Sequence, residues 1–515
     1  MSKVAKATIG LMIVTMLSKI LGFGRELALT YAYGANSISD VYITTVAIPT
    51  ILFASIGTAI STAFIPIFYE IDKIEGRNKS LIFTNNVFNI VILLSTIMAI
   101  LGFVFAEPLV KIFAISFSGA KLKIAIKFTK IMIFGIVFIG LSNLMTGWLQ
   151  INDKFSIAGM IGLPFNILII LGILLSINTN VNIMAVLSLI AMCSMFLFQL
   201  PFAIKCGYKY KLHLDFKDKH IKKMLGLIIP VFIGVGVNQV NIIVDRSLAS
   251  TLGDGFITIL NSANRLNNFV IGLFIMTISA VIFPTLSKLS NGDNLEKFNR
   301  SIVKSVNSVV ILIIPISVGA IVLAKPVVRI VFERGAFNSD ATSMTAVALA
   351  CYSTGMIGFG LREILNKVFY SLQDTKTPMI NGAMAMGMNI VLNIIFVKIL
   401  GYSGLALATS FSALICILLL FNSLNKKIGY FGQDKIYSTM FKSLMAAIVM
   451  GIITKNIYKL IASALGIGFI QEFTALLGSV MVGIVIYGIM IILFKVEEVN
   501  SIVNIFKAKL KISEG

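Results

Sequence analysis

Apolar residues run along this chain in solid blocks of about 20 to 30, parted by short polar or charged stretches. A bilayer core of about 30 Å takes about 20 helical residues at 1.5 Å each, so each block predicts one spanning helix. The blocks predict fourteen spans, over residues 7–33, 40–69, 82–106, 124–149, 157–177, 181–204, 222–251, 257–287, 302–323, 340–371, 378–399, 403–424, 438–461 and 470–494. The ten-residue alternation of a membrane β-barrel is missing. Lys19 and Arg25 interrupt the first block and no small-residue cleavage site ends it, so it reads as a retained helix.

The pattern repeats. Ile60-Ser-Thr-Ala-Phe-Ile-Pro66 ends the second span and Ile278-Ser-Ala-Val-Ile-Phe-Pro284 ends the eighth, 218 residues later. Leu149-Gln150 pairs with Leu372-Gln373, Lys154 with Lys376 and Asn166 with Asn389, at offsets of 222 to 223. The expected fold is an all-α integral membrane protein, with two parallel-repeat lobes of six helices and two further C-terminal helices, a transporter arrangement. The expected divisions are 1–218 (spans 1–6 and a basic linker), 219–430 (spans 7–12) and 431–515 (spans 13 and 14 and a basic tail).

Composition sharpens this. Apolar residues make up 57% of the 515 and charged residues 13%, which excludes a soluble enzyme, a disordered chain and a disulfide scaffold. The net charge of +21, from 43 Lys and Arg against 22 Asp and Glu, would point to nucleic acid in a soluble protein. Here it reads as loops facing an anionic leaflet, and no nucleic-acid partner is expected. One set of loops and both termini hold 26 Lys and Arg against roughly ten opposite. The positive-inside rule makes that side, and both termini, cytoplasmic. Four cysteines without CxxC spacing and two histidines in one basic loop give neither a disulfide nor a metal site.

Charges inside spans are costly and usually face a wet cavity. Span 1 carries Lys19, Arg25 and Glu26; span 2 opens with Asp40; span 7 holds Asp245 and Arg246; span 8 holds Arg265. These are corresponding helices of the two repeats, and cations predominate. That composition suits an anionic head group, and Arg grips phosphate in a bidentate way. The candidate substrate-binding set is therefore Arg25, Arg265, Lys19, Arg246, Glu26 and Asp40. Adjacent Arg25 and Glu26 point about 100° apart on a helix, so neither is expected to neutralise the other. Asp40 has a second reading as a cap of the helix that starts at Ser37. Asp245 and Arg246 have a second reading as an ion pair holding the bundle together. Glu363 and Lys367 read as a private i,i+4 pair. Asn389, Asn393 and Thr409 with Asp245 are candidates for a coupling Na⁺ or H⁺, against the plain alternative of interhelical hydrogen bonding. No GxSxG, HExxH or phosphate-loop motif is present. No enzymatic activity and no cofactor are expected, and the energy is expected from an ion gradient, the membrane potential or another protein.

Leu17-Ser-Lys-Ile-Leu-Gly-Phe-Gly-Arg-Glu26, Ser39-Asp40, Ala63-Phe-Ile-Pro66, Ser262-Ala-Asn-Arg-Leu266, Phe283-Pro-Thr-Leu-Ser-Lys288, Phe332-Glu-Arg-Gly-Ala-Phe337 and Phe369-Tyr-Ser-Leu-Gln-Asp-Thr-Lys-Thr-Pro378 follow one another in order. This series resembles the MurJ/MviN lipid II flippases of the multidrug/oligosaccharidyl-lipid/polysaccharide exporter superfamily. The resemblance implies export of the lipid-linked peptidoglycan precursor by alternating access across a bacterial plasma membrane. It implies a polyprenyl-pyrophosphate sugar lipid as substrate, membrane lipids and cell-wall synthesis enzymes as partners, and a monomer. It places Arg25, Arg265 and Asp40 on family positions of the cationic cavity, and Lys19 where the family often has Arg. It gives spans 13 and 14 the role of a groove for the isoprenoid tail. The chain departs from the family after Pro49, reading Thr50-Ile-Leu-Phe-Ala54 where an arginine is usual. The alternatives are a flippase for another polyprenyl-linked oligosaccharide, of polysaccharide or spore-cortex type, and a drug/cation antiporter, which would want an acidic cavity.

Overall fold

In hydrocarbon every backbone N–H and C=O has to be paired within the chain, and a helix does this locally. The computed structural model describes residues 3–290, 294–466 and 468–498. Among them are nineteen helices and no strand. They are α1 (Lys3–Tyr33), α2 (Ser37–Ile74), α3 (Arg77–Val104), α4 (Ala106–Phe113), α5 (Gly119–Met132), α6 (Gly135–Ile151), α7 (Phe155–Met160), α8 (Gly162–Ile177), α9 (Asn182–Lys205), α10 (Lys219–Ser250), α11 (Phe256–Ser290), α12 (Leu295–Val322), α13 (Ala324–Phe332), α14 (Ser339–Ser353), α15 (Met356–Ser371), α16 (Lys376–Leu400), α17 (Tyr402–Ile428), α18 (Gln433–Leu465) and α19 (Phe469–Leu493). The side chains of Lys3 and Lys6, and the basic tail beyond residue 498, lie outside the described residues.

Among the described residues, nine stretches are long and apolar enough to cross a membrane, and eleven once each of two bent pairs is taken as one span. α1, α10 and α11, of 31, 32 and 35 residues, occupy the places of predicted spans 1, 7 and 8 and carry the charges singled out above. Predicted spans 4 and 10 are not continuous: α5–α6 and α14–α15 each bend by 41°. A glycine stands at each break, Gly135 and Gly355, where it weakens helix continuity.

Those breaks fall 221 residues apart, so the repeat seen in the sequence recurs in the backbone. The short helices α4 and α13 also follow corresponding spans. Asp153 and Gln373, just past α6 and α15, share the left-handed conformation, with φ of 59° and 57°.

The chain packs as two units, Met1–Thr258 with Arg334–Asn338, and Ile259–Glu333 with Ser339–Gly515. The repeat reading divides the chain at 218/219. By packing, α10 belongs with the first unit because it lies along α2. In the first unit α2 is the central strut, packed on α3, α5, α6 and α10. Its Phe68 meets Trp148 of α6 edge-on at 5.7 Å between ring centroids. In the second unit Val306, Val309, Val310 and Ile313 of α12 meet Leu361, Ile364, Leu365 and Val368 of α15 and Leu420 and Leu424 of α17. The i, i+3, i+4, i+7 spacing puts each set on one helix face. Gly358 lets α15 approach α17 closely, since a Cβ there would lie 2.8 Å from the Ala413 carbonyl carbon.

Candidate functional site

Asp40 is fully enclosed, with no exposed side-chain surface. It does not cap its own helix. Asn36 takes that place, accepting from the Ile38 and Ser39 amides at 2.9 and 3.1 Å in a capping box with Ser39. Asp40 is left to reach across to the first turn of α11. Its Oδ2 accepts from the Gly255 amide at 2.7 Å, and its Oδ1 from the Thr258 amide at 2.9 Å and the Thr258 hydroxyl at 2.8 Å. It thereby satisfies two backbone amides at the N-terminal end of α11. The Lys121 ammonium stands 3.2 Å from Asp40 Oδ2 and 2.6 Å from Asp254 Oδ1. A polar cavity of about 340 Å³ lies alongside, lined by Ser116, Ser118, Lys121, Ser250, Thr251 and Asp254. Arg246, a predicted substrate ligand, donates to the Ile43 carbonyl at 2.8 Å and so fastens α10 to α2 at the same end.

The far end of α2 is tied to α10 by a second cluster. Lys223 donates to Glu70 at 2.6 Å. Glu75 takes Lys219 at 2.8 Å and His220 Nε2 at 3.1 Å. The Lys219 hydrogen bond holds the Glu75 carboxyl below its ordinary pKa despite some desolvation, and Glu75 raises that of Lys219.

Arg25 and Glu26 correct the sequence reading. The two side chains converge, with Nη2 3.2 Å from Oε1. Their Cα positions diverge by about 100°, but long side chains can fold back across that angle. Glu26 is buried and Arg25 half-buried, with the guanidinium 5.8 Å from the Phe165 ring centroid. Lys19, nearly two turns earlier on α1, is exposed.

In the second unit Arg265 is exposed on α11. Asn389 and Asn393 are buried one turn apart on α16 and pair with each other, Asn393 donating at 2.9 Å. The Asn389 side-chain amide nitrogen is buried without an acceptor. Thr409 turns its hydroxyl onto Leu405 of its own helix at 3.0 Å. Asp245, in the first unit, accepts from Asn241 at 3.4 Å. Glu363 and Lys367 pair at 3.6 Å. An apolar cavity of about 940 Å³ opens among α11, α12, α18 and α19, lined by Leu266, Ile311, Pro315, Met450, Val480 and Tyr487 among others.

The sequence reading missed Lys121, Asp254 and the Glu70/Glu75 cluster. Lys121 was legible as a charge opening a span on the side otherwise poor in cations. Its two carboxylate partners lie 81 and 133 residues away, and no local pattern reaches that far.

A model of the family described as "Lipid II flippase MurJ" matches residues 29–493. A probable lipid II flippase MurJ of Vibrio cholerae is 30% identical over 500 residues, covering 94% of this chain and 95% of the relative. The lipid II flippase MurJ of Burkholderia cenocepacia is 27% identical and covers 84% and 86%. Among solved structures, a lipid II flippase MurJ in an inward closed conformation superposes with a TM-score of 0.81 at 28% identity, covering 94% and 98%. An inward-facing multidrug resistance MATE family transporter of the MOP superfamily shares the fold, with a TM-score of 0.66 at 15% identity, covering 82% of this chain and 99% of its own.

Proposed function

The chain belongs to the lipid II flippase MurJ family, and on that footing we propose that it carries the lipid-linked peptidoglycan precursor across the plasma membrane by alternating access. It is a multi-pass bacterial membrane protein with a lipid-linked substrate. The observation that carries the choice of a lipid-linked cargo over a drug is the apolar cavity of the second unit. It is walled by α18 and α19, the two helices beyond the internal repeat, and offers about 940 Å³ to a hydrocarbon tail.

Arg25, Lys19 and Arg265 take the pyrophosphate, by charge and, for the arginines, by a planar fork. Glu26 fixes the Arg25 guanidinium. Both ends of α2 act as latches, the Asp40 cluster facing outward and the Glu70/Glu75 cluster facing the cytoplasm with both termini. Releasing one while the other holds alternates access. The membrane potential, or Na⁺ or H⁺ taken up near Asp245 or near Asn389, Asn393 and Thr409, resets the cycle without any cofactor. About 2.3 kcal/mol per charge per 100 mV is available for this. The protein works as a monomer beside the cell-wall synthesis enzymes.

The test is made in cells that have this protein as their sole flippase, with an enzyme that cleaves lipid II only from the outer face. Exposed lipid II should fall on depletion. Arg25→Ala and Arg265→Ala should insert normally and fail to restore it. Exposure unchanged on depletion would overturn the lipid II reading and favour another polyprenyl-linked oligosaccharide. The sequence departure after Pro49, where the chain reads Thr50-Ile-Leu-Phe-Ala54, is what keeps that alternative in view.

A further inference from the structure

Residues 206–218, between α9 and α10, form no helix, yet they are firmly held. Three buried asparagines of α3, Asn85, Asn86 and Asn89, serve as a ladder for their backbone. Asn85 donates to the Lys209 carbonyl and accepts from the Lys211 amide, both at 3.0 Å. Asn86 exchanges two bonds of 2.8 Å with Asp215. Asn89 donates to the Lys211 and His213 carbonyls at 3.2 and 3.0 Å. Tyr208 is buried against Trp148 and Phe88. The side-chain amides thus satisfy the odd-numbered backbone groups of an extended strap, as a neighbouring strand would.

The side chains between those anchors are exposed and largely apolar: Tyr210 by 52%, its hydroxyl donating to Asn89 at 2.7 Å and its ring against Phe88, Leu212 by 83%, Leu214 by 48% and Phe216 by 52%. Lys209, Lys211 and Lys217 are exposed among them. The strap lies beside residues 85–89 of α3, about 5–10 Å along the helix from residue 82, where the sequence opens the apolar block of that helix. Irregular backbone at membrane depth is tolerated only where its polar groups are paired, which explains three asparagines buried at the start of a spanning helix.

We propose that this strap is an interfacial anchor, seating Tyr210, Leu212, Leu214 and Phe216 among the upper acyl segments and binding anionic phospholipid head groups through Lys209, Lys211 and Lys217. Aromatic and aliphatic side chains alternating with a net basic set, Lys209, Lys211, His213, Asp215 and Lys217, match a surface that is apolar below and negative above. A water-facing linker would gain nothing from an 83%-exposed leucine between two other exposed hydrophobics.

Trp148 is the chain's only tryptophan and is buried, so the parent protein serves as its own blank. Leu212→Trp is reconstituted in vesicles of equal parts phosphatidylglycerol and phosphatidylcholine, with bromine on the chains of one lipid or the other. Quenching should be about twofold stronger with brominated phosphatidylglycerol, and Lys209→Gln, Lys211→Gln and Lys217→Gln together should abolish that difference. Phe216→Trp repeats the reading, and slow hydrogen exchange at Lys211 and Asp215 verifies that the strap stays docked. Equal quenching by the two lipids would overturn the anionic-lipid assignment, and absence of quenching from a docked strap would overturn the anchor altogether. Neither readout involves transport, so failure here is distinguishable from failure of the flippase reading.

Discussion

The Lys121 ammonium stands 3.2 Å from the buried Asp40 carboxylate and makes the enclosure of that charge tolerable. Breaking a buried pair by removing one partner commonly costs about 3–5 kcal/mol. Lys121 keeps 14% exposure, so Lys121→Met should cost less, about 2–3 kcal/mol. Asp40→Asn with Lys121→Met leaves no stranded charge and should recover part of the loss. Thermal unfolding of the four proteins in detergent measures the coupling, expected at about 1–3 kcal/mol. Strictly additive effects would mean that the contact carries no energy.

Gly255 is required by two conditions at once. Its φ of +87° is in the region that favours glycine, and a Cβ would stand 2.5 Å from the Ala35 carbonyl oxygen. Gly255→Ala should push the α10–α11 turn off α2 and lengthen the hydrogen bond to Asp40, costing about 1–3 kcal/mol. Faster hydrogen exchange at the Thr258 amide, which donates to Asp40, would report the opening. Unchanged exchange would show that the turn does not move.

Arg25 is set against Glu26 and over Phe165, which directs the guanidinium and leaves it half-buried. If a bidentate grip matters, Arg25→Lys should insert normally and export well below the parent, with Arg25→Ala lower still. If only charge matters, Arg25→Lys will match the parent in the lipid II exposure assay. Glu26→Gln should fall between, since it loosens the guanidinium without removing it.

How far the sequence could be read depended on the range of the interaction. Spanning helices follow from local apolar length, and the structure places α2, α9 and α19 close to the expected limits. The bends at Gly135 and Gly355 were not anticipated, because solid apolar blocks hide a break that costs only a turn of hydrogen bonds. Asp40 was found as an intramembrane charge, but its ligands come from Gly255 and Thr258, more than 200 residues on. The Arg25–Glu26 contact was misjudged because backbone angle says little about where long side chains end. Asn85, Asn86 and Asn89 passed unnoticed: a polar cluster opening an apolar span looks like a loose boundary until the strap that it holds is seen.

Asp374, in the turn between α15 and α16, offers a pH test away from the spans. Desolvation opposes its charge. The Lys427 ammonium at 2.5 Å and the Thr377 amide and hydroxyl at 2.9 and 2.7 Å outweigh that and bring its pKa to about 2, from 3.8. A carboxyl whose pKa is lower in the folded state binds its proton more readily when unfolded, so stability rises with pH between the two values. The contribution is fully present above about pH 4 and is lost as pH falls through about 2. Asp374→Asn should therefore be less stable than the parent at pH 6, and the gap should close between pH 4 and pH 2. Lys427→Gln should narrow the same gap, since it removes the strongest of the opposing contacts. Thermal midpoints of the three proteins across that window decide it: a gap that stays constant with pH would show that Asp374 acts through shape and the Thr377 bonds, not through its charge.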